Sequence, residues 1–280
     1  MARNELFEEV KQELSQVNFL DDDYARIFFD DNIKDTQLVL RIIMDKQDLV
    51  VISVNVQKKF YGPDEAHGVT FDIYAVDSEN RQYDIELQND SEGAIPQRAD
   101  YNCAMMTVNT LKKRERYSEL ARRERVVIFI TKHDVFRGNF PLYTVKRVIQ
   151  ETGKDFNDGT YIFYVNTAHK DYTTALGKLI HDFNCKGSED LCYHELTETA
   201  RCIKRDEGGK FVKSIDKIRA EERAEATAEA TAATENRTYK NVALDLIRLG
   251  KNALDDIAQV CHLTLEQVQE HAATVKVNNS

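Results

Sequence analysis

Long apolar runs are missing from this chain. None approaches the ~18 residues that a membrane-spanning helix needs, and mean hydropathy is −0.53, so a membrane protein is excluded. The opening Met1–Leu6 shows no basic region leading into an apolar segment, so no signal peptide is expected. Five cysteines (Cys103, Cys185, Cys192, Cys202, Cys261) are widely spaced without any C-x-x-C. That pattern fits reduced thiols in a cytoplasm better than a disulfide framework or a zinc site. The seven histidines show no paired spacing, and His181 and His194 are expected to be structural or on the surface. G-x-x-x-x-G-K-[ST], G-x-G-x-x-G and G-x-S-x-G are all absent, which disfavours NTPase, dinucleotide and serine-hydrolase chemistry.

What is present is enough apolar residue, 42 % of 280 positions, to build a core, at a length suited to about one or two domains. The net charge of −10 argues at first against a nucleic-acid partner. The charge is uneven, however. Residues 1–97 hold nine basic and 21 acidic side chains, whereas residues 98–125 hold eight basic and four acidic. The basic segment contains Arg98, Lys112, Lys113, Arg114 and Arg116. It reads either as a solvated helix face or as a phosphate-facing helix beside whatever the acidic part builds.

Apolar spacing predicts helices over 4–16, 21–30 and 34–44, a strand from Leu49 to Val56 and a turn at Tyr61-Gly-Pro-Asp. Strands are expected at 69–76 and 82–88, joined by the polar Asp77–Arg81 as a hairpin. A long helix, or two, should cover 96–122. Buried strands should lie at 126–131 and 161–166, with short strand or irregular structure at 142–152 and a helix over 172–183. This mixture predicts an α/β sandwich around a mostly buried sheet. Three parts are expected: residues 1–205, a low-complexity helical linker at 206–237, and a small helix-turn-helix-like tail at 238–275. In the tail, Gly250 reads as a helix stop and Thr264-x-x-Gln267 as a capping box. Its last helix carries two acids and no Lys or Arg near its start. A partner-binding or homo-oligomerising role is therefore expected, rather than direct reading of DNA.

The hairpin carries the chemistry. If its loop centres on Glu79, partners sum to 158. Asp72 then faces Glu86, Tyr74 faces Asp84 and Val76 faces Gln82, all on one side, with Gln88 beyond Glu86. Phe71, Ile73, Ala75, Tyr83, Ile85 and Leu87 take the other side as a core face. Opposed carboxylates repel. A divalent cation removes that repulsion, and an all-oxygen set suits Mg²⁺ or Mn²⁺. The bland reading is a solvent-facing polar side of an edge hairpin.

The order of Asp72, Glu86-Leu-Gln88, and then a helix with Arg98 and Tyr101 resembles the PD-(D/E)-x-K nuclease superfamily. More narrowly it resembles the Rpn branch, the recombination-promoting, transposase-like nucleases. Asp21-x-x-Tyr24 with Phe28 and Phe29, Arg98-Ala-Asp-Tyr101, Asn157–Asn166 and His181-Asp-Phe-Asn-Cys185 resemble further stretches of that branch. The resemblance covers about residues 20–205 and the tail helices. It implies a restriction-endonuclease-like αβα core with a mixed central sheet, followed by a helical C-terminal extension. It also implies Asp72, Glu86 and the Leu87 carbonyl as metal ligands, and Gln88 where the superfamily most often has lysine. Gln88 hydrogen-bonds but carries no charge, so Arg98 becomes the candidate cation. Asp21 is the candidate upstream acid, with Asp22 and Asp23 beside it, and Tyr101 is either core packing or a phosphate contact. Lys112, Lys113, Arg114 and Arg116 are the candidate DNA contacts. The implied function is a cytoplasmic, bacterial, Mg²⁺- (or Mn²⁺-) dependent DNA endonuclease. The alternative is a catalytically weak or inactive DNA-binding or regulatory protein on the same fold. A DDE-type transposase needs a third acid on a separate element, and the Asp-hairpin-Glu-x-Gln pattern does not match it.

Overall fold

The computed structural model describes residues 12, 16–62, 68–90, 92–205, 210–250 and 253–277. The helix expected over 4–16 falls largely outside these residues, as do Pro63 and Asp64 of the expected turn. The chain divides into two compact units, Met1–Ser214 and Ile215–Ser280.

The first unit is built on a six-stranded mixed sheet in the order β1 (Val51–Phe60), β2 (Val69–Asp77), β3 (Gln82–Gln88), β4 (Arg125–Thr131), β8 (Thr160–Asn166), β5 (Leu142–Val145). The three central strands β3, β4 and β8 run parallel. Their near-continuous apolar sequences follow from burial on both faces. β1, β2 and β5 pair antiparallel at the two sides. A separate ribbon joins β6 (Val148–Ile149) to β7 (Lys154–Asp155). The observed strands match the expected ones within a few residues, except that β1 runs on to Phe60.

Helices cover both faces, giving the αβα architecture. On one face α3 (Pro96–Thr110) lays Ala99, Cys103 and Met106 against Val127, Phe129 and Tyr164. The other layer contains α1 (Asp22–Phe29), α2 (Ile33–Met44) and α4 (Ala175–Asn184), followed by α5 (His194–Arg205). Its core is aromatic, with Phe19 edge-on to Phe28 at 4.6 Å and against Phe183 at 5.5 Å. α5 was not anticipated, although Leu196 and Ala200, four residues apart, are its buried stripe.

The hairpin register is the expected one: Ile73↔Ile85, Tyr74↔Asp84, Ala75↔Tyr83 and Val76↔Gln82. The face assignment needs one correction. Phe71 packs with Tyr74 in the α3-side core, their rings stacked at 6.3 Å, instead of sharing a face with Ile73. Alternation breaks at Asp72, where the β2–β3 pairs stop at Ile73 and where Gln57 on β1, flanked by the pairs Val56↔Ile73 and Lys58↔Phe71, has φ 51°.

The segment expected as a long helix over 96–122 is shorter. α3 ends at Thr110, and a 3₁₀ turn follows at Tyr117–Ala121. Lys112, Lys113, Arg114 and Arg116 therefore sit exposed in a loop and not along a helix face.

α6 (Lys210–Leu249), all but its first residues in the second unit, is one helix across position 237, so the expected linker and the first tail helix are continuous. Its threonines satisfy their hydroxyls one turn back, Thr231 Oγ1 donating to Thr227 O and Thr238 Oγ1 to Thr234 O. Gly250, at φ 64°, ends the helix with its N–H on the Ile247 and Leu246 carbonyls. The capping box closes both ways: Thr264 N–H donates to Gln267 Oε1 at 2.9 Å and Gln267 N–H to Thr264 Oγ1 at 3.2 Å. Helices α7 (Leu254–Val260) and α8 (Leu265–Val277) close a small core around Ala243, Ile257, Cys261 and Val268.

Candidate active site

The carboxylate side of the hairpin is interior, not solvent-facing. Asp84 and Glu86 are both 0 % exposed, covered by α3. Burying charge is costly unless it is paired, and α3 supplies the partners. Asn102 Nδ2 donates to Asp84 Oδ2 at 2.8 Å. Arg98 Nη2 donates to Glu86 Oε2, while its Nη1 donates to the Gly93 carbonyl at 3.1 Å. The guanidinium also lies 6.0 Å over the Phe129 ring, a favourable place for a cation. Arg98 and Asn102, four residues apart, share one helical face.

Asp72 sits at the mouth of this interior. Its Oδ2 accepts the Leu87 N–H at 3.0 Å, and its own N–H lies 3.4 Å from Glu86 Oε1. Each carboxylate thus reaches across to the other's strand, in the gap that opens where the ladder stops. Burial, then the charge of Glu86, pushes the Asp72 carboxyl up to about 7. Glu86 is raised chiefly by burial, with Arg98 opposing. Asp84 is raised well above the ordinary range by burial and then by the charge of Glu86.

Among the acids at the start of α1, Asp22 is the one whose charge acts on Asp72 and Glu86. Asp21 is the N-cap of α1, its carboxylate accepting the Tyr24 N–H at 3.1 Å. Asp22 is raised by burial and by its acidic neighbours, and its charge acts on both Asp72 and Glu86 and is offset by Arg98. Asn89 supplies the link, its Nδ2 donating to the Leu20 carbonyl at 2.5 Å. That bond ties the end of β3 to the entry of α1. Sequence reasoning missed Asn89, Asn102 and Gly93. The signal for Gly93 was a lone glycine in the short turn between strand and helix. A Cβ there would fall 1.8 Å from Gln88 Oε1 and 3.5 Å from Arg98 Nη1. Gly93 therefore lets Gln88 and Arg98 share the space beside Glu86.

The remaining candidates lie elsewhere. Tyr101 is 38 % exposed on α3, so it is not core packing. The loop with Lys112, Lys113, Arg114 and Arg116 follows the far end of α3, about 20 Å from Arg98 at ~1.5 Å per residue. Two other arginines of the basic segment are structural. Arg123 pairs with Glu115 at 2.9 Å, and buried Arg125 donates to the Leu120, Arg123 and Asp158 carbonyls.

An all-oxygen pair such as Asp72 and Glu86, with Asp72 raised by burial and then by its neighbour's charge, suits a hard divalent cation. No described helix is long and apolar enough to cross a membrane. Neither the curated proteins nor the solved structures yield a match to the chain. Residues 37–175 do match a family, described as PD-(D/E)XK nuclease family transposase. The matched stretch holds the whole sheet together with Asp72, Glu86, Gln88 and Arg98. This segment is similar to the PD-(D/E)XK nuclease family transposases, a family of nuclease type.

Proposed function

We propose that the protein is a DNA endonuclease that hydrolyses phosphodiester bonds at the Asp72–Glu86 cluster with Mg²⁺ or Mn²⁺. One observation carries the reading: Asp72 and Glu86 reach across to each other's strand where the hairpin ladder stops, under the charges of Asp22 and Asp84, with Arg98 as the cation against Glu86. Asp72, Glu86 and the Leu87 carbonyl would hold the metal, with Asp22 beside them. Bound there, it supplies charge against a phosphate and a bound water of lowered pKa. Gln88 orients water or phosphate by hydrogen bonding. Arg98 donates to phosphate oxygens and offsets the charge that develops on them. Hydrolysis places a water-derived hydroxyl on phosphorus and a proton on the departing sugar oxygen. The exposed basic loop attracts duplex backbone at a distance from the chemistry. The tail helices serve association between copies, read out by light-scattering mass with and without residues 238–280.

The test is supercoiled plasmid incubated with wild type and Asp72→Ala in Mg²⁺ or Mn²⁺. Nicking by wild type, reduced about 100-fold or more in the variant and abolished by EDTA, is expected. Equal nicking by both, or none by either at high enzyme, overturns the assignment. Retained DNA binding without nicking favours the non-catalytic DNA-binding reading, which the uncharged Gln88 supports.

A further inference from the structure

The motif His181-Asp-Phe-Asn-Cys185 is not used by the carboxylate site. Among the described residues, one group of three His, Cys, Asp or Glu side chains brings its ligand atoms together: His181, Asp182 and Cys192, all within 4.8 Å of one another. We propose that these three side chains form a second metal site, for Zn²⁺, on the surface of the nuclease unit.

The spacings already approach those of a coordination shell. His181 Nδ1 lies 3.1 Å from Asp182 Oδ1 and 3.5 Å from Cys192 Sγ. Tetrahedral zinc, with bonds of ~2.0–2.1 Å to N and O and ~2.3 Å to S, needs ligands about 3.3–3.8 Å apart. One N, one S and one O donor is a zinc set and not a magnesium set. The fourth position opens to water, because Cys192 is exposed.

The frame is rigid before any metal arrives. Asp182 is fully buried; its Oδ1 accepts the Cys192 N–H at 2.7 Å and its Oδ2 the Tyr193 N–H at 3.0 Å. A carboxylate has about four acceptor sites, so Oδ2 keeps one free, and Oδ1 gains one where a metal replaces its contact with His181 Nδ1. Tyr193 Oη donates to the Ala175 carbonyl at 2.8 Å, and Tyr172 packs edge-on to His181 at 5.2 Å. These contacts fasten the Cys192 segment onto α4. The sequence reading passed over the site because nine residues, among them the 3₁₀ turn Ser188–Asp190, separate Cys192 from Asp182, so no C-x-x-C or H-x-x-x-H spacing marks it.

Cys192 is poorly suited to be a nucleophile, since desolvation of the thiol and then the neighbouring Asp182 charge raise it. A bound divalent cation reverses that balance. On binding, the Cys192 thiol releases its proton to solvent, and His181 binds through the Nδ1 lone pair with its proton on Nε2.

The test uses the full reduced chain, stripped with chelator and kept in excess Mg²⁺. Titration with Zn²⁺ against a chromophoric chelator should give one equivalent. Co²⁺ should give a thiolate-to-cobalt charge-transfer band. X-ray absorption on the Zn²⁺ form should show one sulfur at ~2.3 Å and N/O neighbours at ~2.0–2.1 Å. Cys192→Ser and His181→Gln should each weaken Zn²⁺ by at least about tenfold, and Cys192→Ser should lose the band. Asp72→Asn should bind zinc as wild type does, which separates this site from the nuclease cluster. Circular dichroism of the stripped variants checks folding, and the absorption spectrum of wild type stands whatever the variants do. No stoichiometric Zn²⁺, a sulfur-free spectrum, or a band that persists in Cys192→Ser overturns the proposal.

Discussion

The two ends of α3 carry basic side chains to different effect. At the N-terminal end, Arg98 is held against a fully buried glutamate, a carbonyl and an aromatic face. At the other end, Lys112, Lys113, Arg114 and Arg116 stand in water. Buried charges interact through low dielectric and set local chemistry, whereas exposed ones are screened within about 8–10 Å at physiological salt. The overall charge of −10 therefore says little about either end. The acids that dominate the count include those that make up the cluster.

Substitutions at the two ends should differ in kind. Arg98→Ala should have the largest effect: it leaves Glu86 buried without its cation, costing roughly 3 kcal/mol of stability in urea denaturation. It should also cost about 100-fold in plasmid nicking. Unchanged stability would mean that Glu86 is not held as an ion.

Asp72→Asn should split stability from function. The amide keeps an acceptor for the Leu87 N–H and removes the repulsion with Glu86. Metal-free stability at pH 8 should rise by about 1–2 kcal/mol while nicking is lost. The pH dependence has a definite sign. Asp72 titrates near 7 in the fold against about 3.9 unfolded. Its protonated form therefore favours the folded state below pH 4, and this contribution is lost as pH rises through 7. Thermal melts of metal-free wild type should be higher at pH 5 than at pH 8 from this group. Mg²⁺ or the Asn substitution should reduce the difference.

Gly93→Ala should lower nicking about tenfold with less than ~1 kcal/mol of destabilisation, because the new methyl group displaces the flexible end of Gln88. Normal activity would show that Gln88 is free to leave. Replacing Lys112, Lys113, Arg114 and Arg116 together with alanine should do least. Stability should stay within ~0.5 kcal/mol, turnover at saturating DNA should hold, and affinity should fall with a shallower salt dependence. A large loss of turnover would mean that this end of α3 takes part in the chemistry after all.

How much of this was legible differs by residue. The hairpin register was readable because period-two alternation and a polar five-residue loop admit one centred pairing that buries Ile73, Ala75, Tyr83 and Ile85 together. The capping box at Thr264 and Gln267 and the stop at Gly250 were readable because caps depend on backbone groups within four residues. Asp22 was not separable from Asp21 and Asp23 by composition. The distinction rests on which residue caps α1, and on Asn89 holding the start of that helix at the end of β3.

Local patterning was therefore sufficient for the strands, the hairpin register and the helix caps, since each depends on neighbours a few residues apart. Long-range packing settled that the polar face of the hairpin is interior, that Phe71 changes sides, and that the basic loop lies at the wrong end of α3 to touch Glu86. It also brought Cys192 against His181. These outcomes depend on which helix covers which face of the sheet, a choice made by burial of the whole core and carried by no short stretch of residues.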